Sequence, residues 1–404
     1  MVKRNTHIAK LNAGYLFPEI NKCKLSLLAR QPDAKLISLG IGDTTQPLHP
    51  FITSVIEKYA TGLSTFEGYS GYGPEQGSPD LRRRLADRLY QGLVSPDEIF
   101  ISDGAKCDIG RLQLLFGAVT SIAVQDPTYP VYVDTGVILG QTGNFDKDLS
   151  HYQGITYMRC TPDNGFFPDL TKVARTDLIY FCSPNNPTGS VATKTQLKQL
   201  VAFAKKNRSI IIFDAAYSCY ISDPDLPRSI YEIDGAKEVA IEVSSFSKMA
   251  GFTGLRLGWS VIPANLCFED GSSVRQDWHR INTTFFNGAS NIAQQAGLAV
   301  LEDEGLHTVK EMVDYYMNNA RLIKAAMQEL GFPVYGGAHA PYVWAQFPEF
   351  KSWDIFTQIL ENAHVVTTPG SGFGPAGESF IRLSAFGYVS HVEEALGRLR
   401  RHFG

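Results

Sequence analysis

Ser209-Ile210-Ile211-Ile212-Phe213-Asp214 holds four consecutive large apolar residues closed by a carboxylate. Successive side chains of a strand face opposite sides of its sheet, so a strand with one wet face alternates apolar and polar residues. This run is apolar on both faces and therefore reads as an interior strand of a mostly parallel sheet covered by helices on both sides. Comparable β-branched runs occupy 98–102, 121–125, 156–160, 177–182, 239–244 and 257–262, several separated by helix-period stretches such as 195–206. The pattern predicts an α/β fold. Ligands of such sheets gather at the carboxyl ends of the strands, which draws attention to Asp214 and to whatever ends its neighbours.

The texture changes further along. Helical periodicity runs from Asn291 to Leu330, followed by a strand at 343–347, a helix around 353–362, a strand at 380–384 and a terminal helix. A second, smaller α+β domain fits this, giving boundaries of 1–45 for an N-terminal arm and part of the small domain, 46–290 for the large domain and 291–404 for the small one. The first 45 residues are too few to form a core alone and are expected to pack on the small domain or across a dimer interface.

Bulk properties narrow the function classes. The 404 residues are 44% hydrophobic and 19% charged with a formal net charge of −4, the balance of a globular protein. That charge offers no general attraction to nucleic acid or to an anionic membrane, so neither is expected as a partner. No stretch approaches the ~20 apolar residues that span a bilayer, and Met1-Val2-Lys3-Arg4-Asn5-Thr6-His7 lacks the apolar segment of a secretory signal; a cytoplasmic protein is expected. The six cysteines are scattered, without a CxxC pair or a histidine cluster, and read as reduced core thiols with no metal site. There is no 20–50-residue repeat.

Three strand ends carry groups that complement one another. Ser244-Ser245-Phe246-Ser247-Lys248 follows one strand and is itself followed by Arg256. Most lysines are solvated surface charges, but one at the end of a buried strand, beside hydroxyls and a guanidinium suited to phosphate, can lose its proton and attack an aldehyde. Ser183-Pro184-Asn185-Asn186-Pro187-Thr188-Gly189 follows another strand; taken alone it is an ordinary turn. Asp214 closes the third, with Tyr217 three residues later. A carboxylate there can cap a loop, and it can also pair with a protonated pyridine nitrogen. Ser102-Asp103-Gly104-Ala105-Lys106 adds a glycine turn opening a helix, whose free N–H groups suit a dianion.

In order and approximate spacing, Ser-Pro-Asn-Asn-Pro-Thr-Gly, Asp-x-x-Tyr and Ser-x-Ser-Lys with a downstream Arg-x-Gly resemble the aspartate aminotransferase superfamily of fold-type-I enzymes dependent on pyridoxal 5'-phosphate. The resemblance covers nearly the whole chain. It implies that Lys248 holds the cofactor as a Schiff base and later shuttles a proton between substrate Cα and cofactor C4′. Asp214 would hold the ring nitrogen protonated, Asn185 and Tyr217 would bond the ring oxygen, and Tyr129 would stack on the ring face. Ser245, Ser247, Arg256 and the backbone of Ala105 and Lys106 would hold the phosphate. Arg382, in Ile381-Arg382-Leu383-Ser384, would grip the substrate α-carboxylate.

Three further strings, 11–20 with Asn12-Ala13-Gly14-Tyr15-Leu16-Phe17, 40–48 with Gly40-Ile41-Gly42-Asp43, and 66–77 with Tyr72-Gly73-Pro74-Glu75-Gln76-Gly77, resemble the LL-diaminopimelate aminotransferase family. On its own the last is a glycine-rich surface loop. The resemblance implies reversible amino transfer between LL-2,6-diaminopimelate and 2-oxoglutarate, giving tetrahydrodipicolinate and L-glutamate for lysine and peptidoglycan synthesis. It implies a homodimer with shared active sites, Tyr72 reaching the phosphate of the neighbouring subunit. Glu75 would read the distal ammonium, with Tyr15, Gly42, Lys106, Tyr129, Asn185 and Asn287 as further substrate contacts. Two other readings stay open: an aminotransferase of broader scope for alanine, aspartate or aromatic amino acids, and, from another class, a cofactor-binding regulator, for which the chain leaves no room for a DNA-binding module.

Overall fold

The computed structural model describes residues 1–11 and 16–404. All seven apolar runs become strands of one sheet: β1 Ile99–Ser102, β2 Ile122–Asp126, β3 Ile155–Arg159, β4 Leu178–Cys182, β5 Ile210–Asp214, β6 Ala240–Ser245 and β7 Gly258–Val261, in the spatial order β1-β7-β6-β5-β4-β2-β3. The pairs from β6 through β3 are parallel. β7 runs antiparallel to both β1 and β6. A run apolar on both faces carries no mark of direction, so this reversal was not legible in the sequence.

The two-faced reading has a direct counterpart in packing. Ile179, Phe181, Ile211 and Phe213 enter one apolar core, while Leu178, Tyr180, Cys182 and Ile212 enter the core on the other side of the sheet. Each such buried side chain contributes ~1.5–3 kcal/mol relative to exposure, which holds the strand ends in fixed positions.

A second sheet is wholly antiparallel, with β8 Val334–Gly336, β9 Tyr342–Gln346, β10 Thr368–Pro369 and β11 Phe380–Ser384 in the order β8-β9-β11-β10. Its core includes Trp344, Ile381 and Leu396 together with Leu16, Ile20 and Leu27 of helix Leu16–Arg30. Ile37–Ser38 pairs in parallel with Val365–Val366, so the first and last parts of the chain are built into one unit. The short helix Ile8–Lys10 instead lies on the other unit, where Lys10 Nζ donates to the Thr142 carbonyl at 3.1 Å.

The helical stretch after Asn291 is two helices, Asn291–Val300 and Asp303–Glu329, turned at Leu301 and Glu302. Apolar spacing continues through the turn because Leu301 is itself buried. The second helix, 27 residues and ~40 Å long, buries Val309 in the core of the large sheet and Ala320, Ile323 and Met327 in that of the small one. Between them an aromatic cluster of Tyr217, Tyr220, Tyr316, Tyr342 and Phe386 fills the boundary. No helix among the described residues is long and apolar enough to cross a membrane.

Candidate active site

A cavity of about 410 Å³ opens where β4, β5 and β6 end, and its wall includes Gly42, Ala105, Lys106, Tyr129, Asp214, Tyr217, Ser245, Ser247, Lys248, Arg256 and Arg382. Eleven residues singled out from strand-end reasoning and resemblance thus face one space.

One end is built to hold an anion. Gly104 caps helix Ala105–Phe116 without a side-chain bond, leaving the helix start to face the cavity. Opposite it, Arg256 Nη1 lies 3.4 Å from Ser247 Oγ, and Ser247 N donates to Ser245 Oγ at 3.0 Å. Arg256 takes a left-handed backbone with φ of 62°, a conformation costing ~1–3 kcal/mol for a non-glycine residue and retained where surroundings enforce it. Gly258, first in β7, admits the helix start: a Cβ there would lie 2.7 Å from Gly104 Cα and 3.0 Å from Ala105 N.

At the other end Asp214 is buried. Its Oδ2 accepts from Tyr132 Oη at 2.6 Å and its Oδ1 from Ala216 N at 3.0 Å. Burial holds this carboxyl above its ordinary range despite those two donors. A cation brought beside it would restore the charged form, and a protonated ring nitrogen is such a cation.

Lys248 stands between the two ends. Its Nζ donates to the Gly42 carbonyl and lies 5.4 Å from the centre of the Phe386 ring. Burial lowers its amine to about 8, opposed by the Asp43 carboxylate and reinforced by Arg382 and Arg256. A usable fraction is therefore unprotonated near neutral pH, as a nucleophilic amine requires.

Arg382, central in β11, is only 1% exposed. Its Nη1 donates to Asn186 Oδ1 and its Nη2 to the Gly40 carbonyl, both at 2.7 Å, and the guanidinium is stacked between Tyr342 and Phe373 at 4.5 and 4.9 Å. A planar fork fixed on two sides and open to the cavity suits a carboxylate. Tyr217 Oη lies 2.6 Å from Tyr342 Oη, tying the loop after β5 to the small sheet.

Asn185 does not reach the cavity. Its Nδ2 donates to Thr188 Oγ1 at 3.0 Å and to the Pro127 carbonyl at 3.3 Å, and its backbone N–H donates to Ser190, so the residue closes the turn from within. The next residue, Asn186, lines the cavity instead and bonds Arg382. Of these two adjacent asparagines it is Asn186 that lines the cavity, and their sequence held no signal to separate them.

Tyr72, Glu75 and Asn287 are not in this cavity either. All three are exposed, and with Arg82 and His279 they line a second concavity of about 510 Å³. Tyr15 lies outside the described residues. The reading of the sequence missed Tyr132, Asn186, Tyr342 and Asp43. Tyr132 had a weak signal, standing in the first turn of the helix that begins two residues after Tyr129, and the two rings meet edge-on at 5.8 Å. Tyr342 had less, sitting one residue before the expected start of its strand.

A phosphate cup, a buried carboxylate and a depressed lysine between them fit a phosphorylated pyridine aldehyde, and the cradle at Gly258 keeps the cup open for it. The description aminotransferase class I and II matches residues 34–399. The LL-diaminopimelate aminotransferase of Protochlamydia amoebophila strain UWE25 is 58% identical over 400 residues, covering 99% of this chain and 97% of the relative. The chloroplastic LL-diaminopimelate aminotransferase of Arabidopsis thaliana is 58% identical over 401 residues, covering 99% and 87%. Among solved structures, L,L-diaminopimelate aminotransferase from Chlamydomonas reinhardtii superposes with a TM-score of 0.96 at 56% identity, covering 100% of this chain and 99% of that one. A Thermus thermophilus aspartate aminotransferase shares the fold with a TM-score of 0.84 at 22% identity. With the lysine, the anion cup and the buried carboxylate on one cavity, this chain belongs to the class I and II aminotransferases.

Proposed function

We propose that this protein transfers an amino group between LL-2,6-diaminopimelate and 2-oxoglutarate, with pyridoxal 5'-phosphate as cofactor and a homodimer as the working unit. The observation that carries the chemistry is the position of Lys248, between Asp214 and the Ser245–Ser247–Arg256 cup, on one cavity with the buried Arg382. The substrate assignment is supported by 58% identity over nearly the full length to relatives of that name.

When bound, the cofactor supplies an electron sink for the charge left as the substrate Cα–H bond breaks. The chain's own groups do the rest. Arg382 holds the α-carboxylate through its fork, which fixes the orientation of the Cα–H bond. Lys248 Nζ takes up the Cα proton, and its depressed basicity lets it give the proton up again near neutral pH. Asn186 and Tyr217, which line the cavity, would hold the ring oxygen, and Tyr129 would stack on the ring face. Tyr72 and Glu75 act on the site of the partner subunit, Glu75 on the distal ammonium and Asn287 on the same distal end.

Lys248→Ala is expected to abolish the visible absorption band of the lysine-bound cofactor and to lower turnover by more than ~10²-fold. Normal turnover in that variant would overturn the assignment. With 2-oxoglutarate as acceptor, a donor panel of LL- and meso-diaminopimelate, alanine, aspartate and phenylalanine is expected to favour the LL isomer. Comparable rates across the panel would favour a broad aminotransferase instead. Glu75→Ala should impair diaminopimelate turnover far more than the glutamate half-reaction, because glutamate has no distal ammonium; equal losses would remove Glu75 from that role.

A further inference from the structure

Ile41, Gly42 and Asp43 line the main cavity, in a stretch, 41–46, that no helix or strand holds. Their position depends on bonds at the two ends. At one end the Gly40 carbonyl accepts from Arg382 Nη2 at 2.7 Å and from Thr368 Oγ1 at 2.8 Å. At the other, Tyr316 Oη accepts from both Thr45 N and Gln46 N, each at 2.8 Å. Between these anchors stand Gly42, whose carbonyl meets Lys248 Nζ, and Asp43, which lines the same cavity as that amine.

Tyr316 is suited to hold such a wall. It is fully buried at the middle of helix Asp303–Glu329, between the part that packs on the large sheet and the part that packs on the small one. Its ring stands edge-on to Phe386 at 4.8 Å, and the Phe386 ring also lies under Lys248. A phenolic oxygen has two lone pairs, and here two backbone donors take them. There is little room for adjustment at Gly42, where a Cβ would lie 2.8 Å from Tyr342 Oη.

We propose that Tyr316 is a positioning residue: by clamping the backbone of Thr45 and Gln46 it fixes how far the Asp43 carboxylate stands from the nitrogen of Lys248. The proposal rests on Lys248 being the cofactor-bearing lysine. Of the protein's charged side chains around this nitrogen, Asp43, Arg382 and Arg256, only Asp43 is an anion and favours its protonated form. If the wall loosens, Asp43 moves off, and the nitrogen gives up its proton at lower pH.

Tyr316→Phe tests this with the ring packing kept and the acceptor removed. In the cofactor-loaded enzyme, the pH midpoint of the absorption band of the lysine-bound cofactor is expected to fall by roughly 0.5–1 unit. KM for the amino donor should rise by about 5–10-fold while kcat stays within about twofold, as expected if Gly42 of this wall contacts substrate alike in ground and transition states. Asp43→Asn should lower the midpoint too, and adding Tyr316→Phe to it should bring no further fall, as expected when one residue acts through the other. Additive shifts, or a midpoint and KM unchanged in Tyr316→Phe, would overturn the clamp while leaving the cofactor reading intact. Absence of the band from the wild-type enzyme would overturn both. In the wild type itself, slow hydrogen exchange at the Thr45 and Gln46 amides is expected; free exchange at both would also overturn the clamp.

Discussion

Asp214 and Lys248 are both ionisable groups in apolar surroundings, and burial acts on them in opposite directions, raising the acid and lowering the base. Asp214 is thereby left short of a cation, which a protonated ring would supply, and Lys248 is left with a free amine able to condense with an aldehyde. For Asp214 the remaining support is the hydroxyl of Tyr132 at 2.6 Å and one backbone N–H. Tyr132→Phe removes a donor to the charged form, so the carboxyl rises further. Cofactor affinity, measured by titrating the cofactor-free protein, should fall about 10-fold or more, a loss of ~1.5–3 kcal/mol, with the deficit widening as pH falls and more of the carboxyl is protonated. For Lys248 the consequence concerns stability. In the cofactor-free protein the folded amine titrates at about 8 against an ordinary 10.5. Between those values the unfolded chain binds the extra proton, so this group makes stability rise with pH across that window, and its burial penalty is complete below about 8. Cofactor-free Lys248→Met should accordingly melt at a higher temperature than wild type at pH 7, and the gap should close as pH approaches 10.5. A constant gap from pH 7 to 10.5 would assign the difference to packing instead.

The site is assembled from the ends of elements, and the close approach of β7 to the start of helix Ala105–Phe116 is where this is tightest. A methyl group on Gly258 would meet backbone on both sides, Gly104 Cα at 2.7 Å and the Ser244 carbonyl at 2.8 Å. Backbone cannot move aside as a flexible side chain can. Gly258→Ala should therefore cost ~1–3 kcal/mol in thermal stability and, by driving the helix start away from Arg256, weaken binding of both the cofactor and inorganic phosphate. Unchanged phosphate affinity would show that the helix start is not part of the cup. This junction also marks what sequence conveys at the scale of elements. The seven strands were legible because a strand buried on both faces needs an unbroken apolar run, and the site residues ending them were legible because polar groups are conspicuous at the end of such runs. The direction of β7 was not legible, since its residues pack equally well either way up. Neither were β8 and β10, at three and two residues too short to show a period. Asn185 and Asn186 differ only in which one the turn consumes, a matter of the hydrogen bonds made to Thr188 and Pro127 rather than of residue type.

At the scale of the whole molecule, the residues that resemblance assigned to one active site fall into two separate concavities of a single chain. Lys248, Asp214 and Arg382 line one, and Tyr72, Glu75 and Asn287 the other. The segment bearing Tyr72 also exposes Phe66 at 95%, Tyr69 at 72% and Tyr72 itself at 88%. Three large aromatic side chains so close together in sequence and so exposed suit a protein interface better than water. A second copy related by a twofold axis would offer the same surface in return and could bring each segment to the other copy's cavity. This arrangement has a consequence that no single-chain site shares. Lys248→Ala and Tyr72→Ala should each be inactive as pure dimers, the first lacking the amine in both sites and the second lacking the partner's tyrosine in both. In a mixed dimer one site carries both lesions and the other neither. Refolding the two variants together in equal amounts should therefore restore activity to about a quarter of wild type, since half the dimers are mixed and half their sites intact. Separately refolded variants combined afterwards should regain activity only as fast as subunits exchange. Failure of co-refolded mixtures to exceed the sum of the two parents would place Tyr72 outside the partner's site.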